Sequence, residues 1–433
     1  MDVRPNIIFI FSDQQRADTV TREVTPALYA YSEEGVRFTE AHTAQPLCGP
    51  ARAALQTGMY ASDTGNEING IPLGETRTLG KYFSDAGYET AYIGKWHLAS
   101  EGLQYRDTPI PAGKIYGYDF TLAADLPEFS SDGKRGVLWE ADGTPHPFEN
   151  GRVKAYTDHA IEYISRPHDK PYFLMISYLE PHHQNTTGKF ECEERVSEMF
   201  KTAPLPADLK LKGNAPENYA DYLGLCRTLD ENLSRIVAAA RAAGGKTVFV
   251  YSSDHGCHFM TRNSEYKRSP HSASTHIPMI LFGDGVPHGK IYDAPVSLYD
   301  LPPTLLGLAG IPAPPEYRGS DLMPYVLSGK RAHDCLYIEI SESLKGAAVV
   351  NERYIYAEKE SEGARVAWLL LDKAVDPAET ENRLYDPAYS GVLRSMQAKL
   401  DAFIKETHYL KGARRENKFK RLLLCFFRRR HGK

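Results

Sequence analysis

Residues 46–58 of the chain read PLCGPARAALQTG, and this stretch predicts a cysteine at the start of a short helix. Pro50 fits the first turn of that helix, because the amides there have no acceptor within the helix. A thiolate or other anion at Cys48 would meet free N–H groups and the positive end of the helix dipole. The stretch therefore predicts a reactive or anion-binding position, although Cys48 taken alone is also compatible with a buried structural cysteine.

The composition is typical of a globular protein with one large domain and a smaller one. The chain has 433 residues, of which 42% are hydrophobic and 25% charged, so it can bury a substantial core. Its net charge of −5 is uneven: residues 411–433 hold ten Lys/Arg and one acid, whereas residues 1–410 hold 41 bases and 55 acids. The acidic body argues against nucleic acid as a general partner.

The cysteines and the N-terminal sequence together predict a cytoplasmic location. The six cysteines form no CxxC pair, which is compatible with a reducing compartment. The first residues lead directly into the apolar stretch Ile7–Phe11, without the charged region, long apolar region and cleavage site of a signal peptide. No apolar run in the sequence is long enough to span a bilayer.

Over the first 330 residues, short apolar runs alternate with amphipathic stretches, which predicts an α/β sheet covered by helices. The expected strands are Asn6–Ser12, Thr90–Ile93, Tyr172–Tyr178, Thr247–Ser252 and Ile277–Phe282. The expected helices are Pro50–Thr57, Thr78–Ala86, Val153–Ile164, Tyr219–Ala243 and Leu301–Ala309. Two long segments, Gln104–Gly151 and Asn185–Asn218, are expected to be irregular insertions that shape a substrate site.

The character of the sequence changes after Gly329. Four short strands and a helix are expected there, at Leu336–Ile340, Ala347–Val350, Tyr354–Glu358, Ala367–Leu371 and Gly391–Ile404. The predicted organisation is a catalytic α/β domain over residues 1–330, a small α+β domain over 331–410 and a basic tail over 411–433. The tail places Leu422–Phe427 between basic clusters, so it could make a weak contact with an anionic membrane surface or fold back on the protein.

Polar side chains follow several of the predicted strands. Asp13, Lys95, His182 and Asp254 each lie at or near a strand end, where the functional residues of open α/β sheets gather. Carboxylate and amide oxygens in Ser12-Asp13-Gln14, with the carboxylate and imidazole of Ser253-Asp254-His255, suit a divalent cation. A zinc site with Cys257 and His258 is disfavoured, because nothing elsewhere in the sequence has the spacing to complete it.

Several motifs carry a resemblance to one enzyme family. Cys48-x-Pro50-x-Arg52 followed by Thr57-Gly58 resembles the signature of the type I sulfatases, and Gly94-Lys95-Trp96-His97 resembles a second motif of the same family. The likeness runs from about Asn6 to Arg383, with departures at Gln56, Ser272 and His276. The chain is thus similar to formylglycine-dependent sulfatases of the alkaline phosphatase superfamily. The resemblance implies a large mixed sheet sandwiched by helices and a smaller C-terminal α+β domain with an antiparallel sheet.

The resemblance also implies a cofactor set. Cys48 would be oxidised to formylglycine by a maturation enzyme, and the hydrated aldehyde would be the nucleophile. One divalent cation would be held by Asp13, Gln14, the modified Cys48, Asp254 and His255. Gln14 and His255 stand where many sulfatases have Asp and Asn. Calcium is the preferred ion. Mg²⁺ and Mn²⁺ are the alternatives, because the site has one carboxylate fewer and one nitrogen more than the common family pattern.

By the same resemblance the catalytic residues are Cys48, Arg52, Lys95, His97, His182 and Lys267. Lys95 and Lys267 would bind the sulfate, and Arg52 would hold the nucleophile. His97 would remove a proton from the hydrate, and His182 would assist the leaving group, with His183 as the alternative. A histidine can transfer protons near neutral pH because its ordinary pKa lies there.

The implied activity is hydrolysis of a sulfate monoester, with a sulfated carbohydrate as the expected substrate. A phosphonate monoester or phosphodiester hydrolase on the same scaffold is the alternative, because such enzymes pair Gln and His at the positions of Gln14 and His255. A glycan-binding protein without activity is a third possibility. The presence of every expected catalytic side chain argues against it.

Overall fold

The computed structural model describes residues 4–410 and 412–414. Within these residues the strands are β1 (Asn6–Asp13), β2 (Val36–Phe38), β3 (Ala41–His42), β4 (Glu89–Lys95), β5 (Phe120–Ala124), β6 (Gly136–Glu140), β7 (Pro145–Phe148), β8 (Tyr172–Pro181), β9 (Thr247–Ser253), β10 (Met279–Gly283), β11 (Lys290–Tyr292), β12 (Val296–Ser297), β13 (Leu336–Ile340), β14 (Gly346–Val350), β15 (Tyr354–Ser361) and β16 (Ala364–Asp372). The α-helices are α1 (Pro26–Glu34), α2 (Cys48–Thr57), α3 (Ala61–Thr64), α4 (Leu79–Asp85), α5 (Pro127–Ser130), α6 (Arg152–Ser165), α7 (Glu194–Ser197), α8 (Ala215–Ala243), α9 (Ser272–Thr275), α10 (Leu301–Leu308), α11 (Met323–Ser328) and α12 (Ser390–Thr407).

A large mixed sheet forms the centre of the molecule, as the sequence predicts. Its strand order is β11-β2-β10-β9-β1-β8-β4-β5-β6-β7. The five strands β9, β1, β8, β4 and β5 run parallel to one another, and antiparallel pairs lie toward both edges. All ten residues of β8 are buried, because helices cover both faces of the sheet. Central strands in such a sheet are typically continuous apolar runs.

Side chains that alternate along β1 enter two separate cores. Ile7 and Phe9 pack on one face of the sheet in the cluster that includes residues of α2, α4 and α10. Ile8 and Ile10 pack on the other face with residues of α6 and α8. This layering brings the whole of α2, from Cys48 to Thr57, into the interior.

The C-terminal strands β13 to β16 form a separate antiparallel sheet of four strands in sequence order, which confirms the predicted second sheet. Helix α12 packs against it through Met396, Leu400 and Ile404. A domain boundary near residue 330 stays a prediction. The tail segment Leu422–Phe427 lies outside the described residues. The predicted membrane contact of this segment therefore stays a prediction.

One prediction for the large domain is wrong in part. The segment Gln104–Gly151 was expected to be irregular, but it contributes β5, β6 and β7 to one edge of the large sheet. The apolar run Phe120–Ala124 pairs with β4, and Pro145 and Pro147 are tolerated because β7 is an edge strand. The segment Asn185–Asn218 is largely irregular, as predicted, with only short helical turns before α8 begins. Among the described helices, none is both long enough and apolar enough to cross a lipid bilayer.

Glu339 links the small sheet to the large domain. Its carboxylate accepts hydrogen bonds from the backbone N–H of Ser62, at 3.1 Å, and from the Ser62 hydroxyl. The side chain is buried, and burial raises the pKa of Glu339 to about 8, although the Ser62 hydrogen bonds act in the opposite direction. At neutral pH the folded protein therefore keeps this carboxyl protonated.

Replacing Glu339 with glutamine should stabilise the protein relative to wild type as the pH rises from about 5 to about 8. In the unfolded wild-type chain Glu339 ionises near its ordinary pKa, whereas the folded chain retains the proton, so raising the pH favours unfolding. The effect is about 1.4 kcal/mol for each unit of pKa difference. Glutamine has no proton to lose. Urea denaturation at both pH values measures the difference in free energy of unfolding, and a difference independent of pH would contradict this account.

Candidate active site

A cavity of about 470 Å³ lies where the parallel strands end. Asp13 and Lys95 are the last residues of β1 and β4, and His182 and Asp254 directly follow β8 and β9. Side chains from these strand ends and from α2 meet in and beneath the cavity, which is lined in part by Cys48, His97, Glu128, His182 and Lys267. The predicted gathering of polar residues at the strand ends is therefore present in the structure.

Arg52 is the buried residue that connects α2 to these strand ends. Its Nη2 lies 3.0 Å from Asp13 Oδ2, and its Nε lies 3.3 Å from Asp254 Oδ2. Its Nη1 donates to the Lys95 carbonyl at 2.9 Å and to the Ser177 hydroxyl at 2.8 Å. Helix α2 begins at Cys48, as predicted, so Arg52 fixes the position of Cys48 relative to four strands of the sheet.

One carboxylate oxygen of Asp13 and one of Asp254 do not contact Arg52, and both lie near His255 Nε2. Asp13 Oδ1 and Asp254 Oδ1 each lie 3.6 Å from His255 Nε2, and Cys48 Sγ lies 3.2 Å from the same nitrogen. One ligand atom from each of the four residues falls within 4.8 Å of the others. Gln14, whose backbone N–H donates to Asp254 Oδ1 at 3.0 Å, has a buried Oε1 without a hydrogen-bond partner. This set of oxygen and nitrogen donors fits a divalent cation.

The two carboxylates of this cluster titrate differently. Burial alone would raise the pKa of Asp13, but the positive charges of Lys95, Arg52 and Lys267 outweigh it and hold that pKa well below its usual range. Burial and the neighbouring charge of Asp13 raise the pKa of Asp254. A cation between the two would therefore have to displace a proton from Asp254 to bind both as carboxylates.

Lys267 lies against Cys48 and against His255, one of the residues of the cluster. Its Nζ is 2.8 Å from Cys48 Sγ, 3.2 Å from His182 Nε2 and 3.1 Å from His255 Nε2. His182 is thus the histidine beside Lys267, whereas the ring of its alternative, His183, packs on Tyr266 with the ring centres 4.1 Å apart.

The residues of the disfavoured zinc site have other partners. His258 Nε2 pairs with the Lys267 carbonyl at 3.0 Å, and Cys257 Sγ accepts a hydrogen bond from Gln14 Nε2 at 3.3 Å. In the described part of the chain, the ligand cluster around His255 includes neither Cys257 nor His258. Ser272 and His276, two of the departures from the family pattern, do not line the cavity either, as far as its described lining shows.

Lys95 is the last residue of β4, and His97 comes two residues later. Both side chains lie beside Glu128. Lys95 Nζ is 2.9 Å from Asp13 Oδ2 and 2.9 Å from Glu128 Oε1. His97 Nδ1 is 3.6 Å from the same glutamate oxygen. Sequence reasoning missed Glu128, which lies on α5 within the segment expected to be irregular. The available signal was an apolar strand followed by acidic residues, the same pattern that identified Asp13 and Asp254.

Two family models match the chain. The model described as Sulfatase covers residues 5–311, and the one described as N-sulphoglucosamine sulphohydrolase, C-terminal, covers residues 265–406. Among curated relatives, the ulvan-active sulfatase of Formosa agariphila is 27% identical over 94% of this chain and 84% of its own length.

Solved structures share the fold over nearly the whole chain. The YidJ protein of Bacteroides fragilis superposes with a TM-score of 0.85 at 25% identity, covering 95% of this chain and 98% of that one. A second structure, determined with its substrate D-glucosamine-2-N,6-O-disulfate, has a TM-score of 0.79 at 21% identity and covers 94% of this chain and 98% of that one. At that identity the second likeness shows the fold alone.

Replacing Arg52 with lysine should weaken the binding of a divalent cation by about 10- to 100-fold, the usual effect of losing a group that orients metal ligands. A lysine can bond to only one of the two carboxylates that the guanidinium holds. Calorimetric titration of the chelator-treated protein with Ca²⁺ measures the affinity.

The matched control is Arg152→Lys. Arg152 is equally buried and pairs with Glu180 at 2.8 Å, but neither residue belongs to the cation cluster. Both variants should lose stability, since disrupting a buried ion pair costs about 3–5 kcal/mol. Only Arg52→Lys should lose cation affinity. Equal affinity in Arg52→Lys and wild type would contradict the role assigned to Arg52.

Proposed function

The chain belongs to the sulfatase family and is a sulfuric ester hydrolase, and we propose that it removes a sulfate group from a sulfated carbohydrate. The observation that carries the proposal is the position of Cys48, which belongs to the cluster of candidate cation ligands and also lies 2.8 Å from the ammonium of Lys267. The substrate of the structural neighbour, a disulfated glucosamine, supports the carbohydrate, as does the name of the ulvan-active relative.

We propose that Cys48 is converted to formylglycine by a maturation enzyme. Burial, together with the charge of Asp13, raises the pKa of the Cys48 thiol to about 12. The unmodified thiol therefore stays protonated at neutral pH and is a poor nucleophile, because the thiolate is the reactive form. A hydrated aldehyde at this position supplies an oxygen nucleophile instead.

We propose that Asp13, Gln14, Asp254 and His255 hold a divalent cation together with the modified residue 48. Calcium is the first choice because most of the donors are oxygen atoms. The imidazole of His255 leaves Mg²⁺ and Mn²⁺ as alternatives. When bound, the cation supplies positive charge where negative charge develops on the ester oxygens.

The charges of the pocket suit an anionic substrate. Asp13, Asp254 and Glu128 supply three carboxylates, and Arg52, Lys95 and Lys267 supply three cations, all buried. A divalent cation makes the total positive, which favours a bound sulfate ester. The carboxylates of Asp13 and Asp254 favour the charged form of Lys267 despite its burial, and the pKa of Lys267 is raised, so its ammonium persists to hold the sulfate oxygens.

Two histidines are placed to transfer protons. Burial, with Lys95 and Arg52 nearby, holds the pKa of His97 well below its usual range, so at neutral pH its ring is uncharged and can accept a proton. His182 Nε2 lies 3.2 Å from Lys267 Nζ. A proton on the lysine can therefore reach the departing alcohol oxygen directly or through this imidazole. The cytoplasmic location stays a prediction from the sequence.

The purified protein, produced in cells with a maturation enzyme, should hydrolyse an aryl sulfate with a higher kcat/KM than the matching aryl phosphodiester. The Cys48→Ala variant should lose about 10⁴-fold or more of this activity, since it lacks the nucleophile. Released inorganic sulfate from a panel of sulfated monosaccharides then identifies the sugar.

Each alternative has its own outcome in this assay. Faster cleavage of the phosphodiester would replace the sulfatase proposal with the phosphodiesterase alternative, which Gln14 and His255 favour. If wild type and Cys48→Ala hydrolyse both esters at the same background rate, and wild type still binds a sulfated sugar, the protein is the inactive glycan-binding protein.

A further inference from the structure

Glu128 lies in the pocket wall beside two of the proposed catalytic residues, and the roles described above do not use it. Its side chain is buried and lines the cavity. One oxygen, Oε1, is 2.9 Å from Lys95 Nζ. The other, Oε2, is buried without a hydrogen-bond partner. A buried carboxylate oxygen without a donor is unfavourable, so a donor besides Lys95 is expected to reach this side chain.

His97 presents the matching unsatisfied atom. Its Nδ1 is buried and has no hydrogen-bond partner, and it lies 3.6 Å from Glu128 Oε1. This distance is only slightly longer than a hydrogen bond, and catalytic hydrogen bonds are often long before the substrate is bound. A small shift of either side chain would bring Nδ1 within hydrogen-bond distance of the Glu128 carboxylate.

The backbone holds the two residues in this relation. The N–H groups of Trp96 and His97 donate to the carbonyls of Ala124 and Asp125 at 2.9 and 3.1 Å. The Asp125 carboxylate accepts from the next three backbone N–H groups, those of Leu98, Ala99 and Ser100.

These bonds hold His97 in a strained conformation. Its φ is +61°, in the left-handed region that residues other than glycine rarely adopt and that persists only where the surroundings enforce it. The segment after β5 therefore fixes the backbone of His97 and also carries the carboxylate that faces its ring.

We propose that Glu128 is a positioning residue that accepts the Nδ1–H of His97, so that Nε2 is the nitrogen that takes up the proton during the reaction. The hydrogen bond made by one ring nitrogen decides which nitrogen of a neutral imidazole carries the proton. The same carboxylate holds the Lys95 ammonium in place. When His97 becomes protonated, the negative charge of Glu128 also offsets the positive charge of the His97 ring. The inference rests on the proposed function, since it takes His97 as the proton acceptor.

The first test measures the tautomer of His97 and needs no activity. Protein with unmodified Cys48 is labelled with ¹⁵N-histidine, and the His97 signals are assigned by their loss in His97→Gln. Wild type should show a protonated Nδ1 and an unprotonated Nε2. Glu128→Met, which keeps the side-chain length but cannot accept this bond, should lose that preference. Glu128→Gln should retain it in part, because its amide oxygen can accept the bond.

Glu180→Met is the matched control. Glu180 is a buried glutamate paired with Arg152, and it makes no contact of this kind with His97 or Lys95. The variant should lose stability and leave the tautomer of His97 unchanged. A wild-type His97 protonated on Nε2, or a tautomer that Glu128→Met does not alter, would overturn the proposal.

The second test uses the matured enzyme. Glu128→Met should lower kcat by about 10²-fold, the usual contribution of a positioned general base, with KM changed less than kcat. In a His97→Gln background the same substitution should lower kcat little further, because both changes disable the same proton acceptor.

A raised KM with an unchanged tautomer would show that Glu128 acts through Lys95 alone, and would overturn the role at His97. A wild-type enzyme that hydrolyses no ester would refute the proposed function, while the tautomer measurement would still decide the role of Glu128.

Discussion

Two carboxylates buried side by side, Asp13 and Asp254, are the constraint on which the rest of the structure depends. Negative charges taken out of water this close together must be paired with cations. Arg52 supplies one cation that hydrogen bonds one oxygen of Asp13 and forms an ion pair with one oxygen of Asp254, and the other oxygen of each carboxylate lies 3.6 Å from His255 Nε2. The buried Lys95 bonds Asp13 as well. The convergence of these oxygens with His255 and residue 48 is what makes the cluster a candidate site for a divalent cation.

This requirement explains the position of Cys48, the proposed precursor of the nucleophile. Arg52 can reach both carboxylates only if α2 lies across the ends of the central strands, and Cys48 is one turn away from Arg52 on the same helix. The small C-terminal sheet completes the pocket from outside. Glu342, from the turn between β13 and β14, accepts the Asn69 N–H at 3.1 Å and pairs with Arg268, the neighbour of Lys267. The two sheets thus meet at the rim of one cavity.

The sequence predicted those parts that depend on local pattern. Strands buried on both faces are continuous apolar runs, so β1, β4, β8 and β9 could be found, and with them the polar residues at their ends. The edge hairpin of β6 and β7 has no such run and contains prolines, so it was missed. Glu128 was missed because its importance comes from contact with Lys95 and His97 from another strand, which no local pattern records. A zinc site with His258 could be disfavoured from the sequence because no ligands with suitable spacing were found, and in the structure His258 pairs with the Lys267 carbonyl.

The central claim is that Cys48 is the precursor of the nucleophile. The most direct measurement is the mass of the tryptic peptide Phe38–Arg52, taken from protein made together with a compatible maturation enzyme. The account predicts a peptide in which Cys48 has lost its sulfur and gained an aldehyde oxygen. A plain thiol in active enzyme made under those conditions would contradict the account, because the buried, protonated sulfur of Cys48 would then have to be the nucleophile itself.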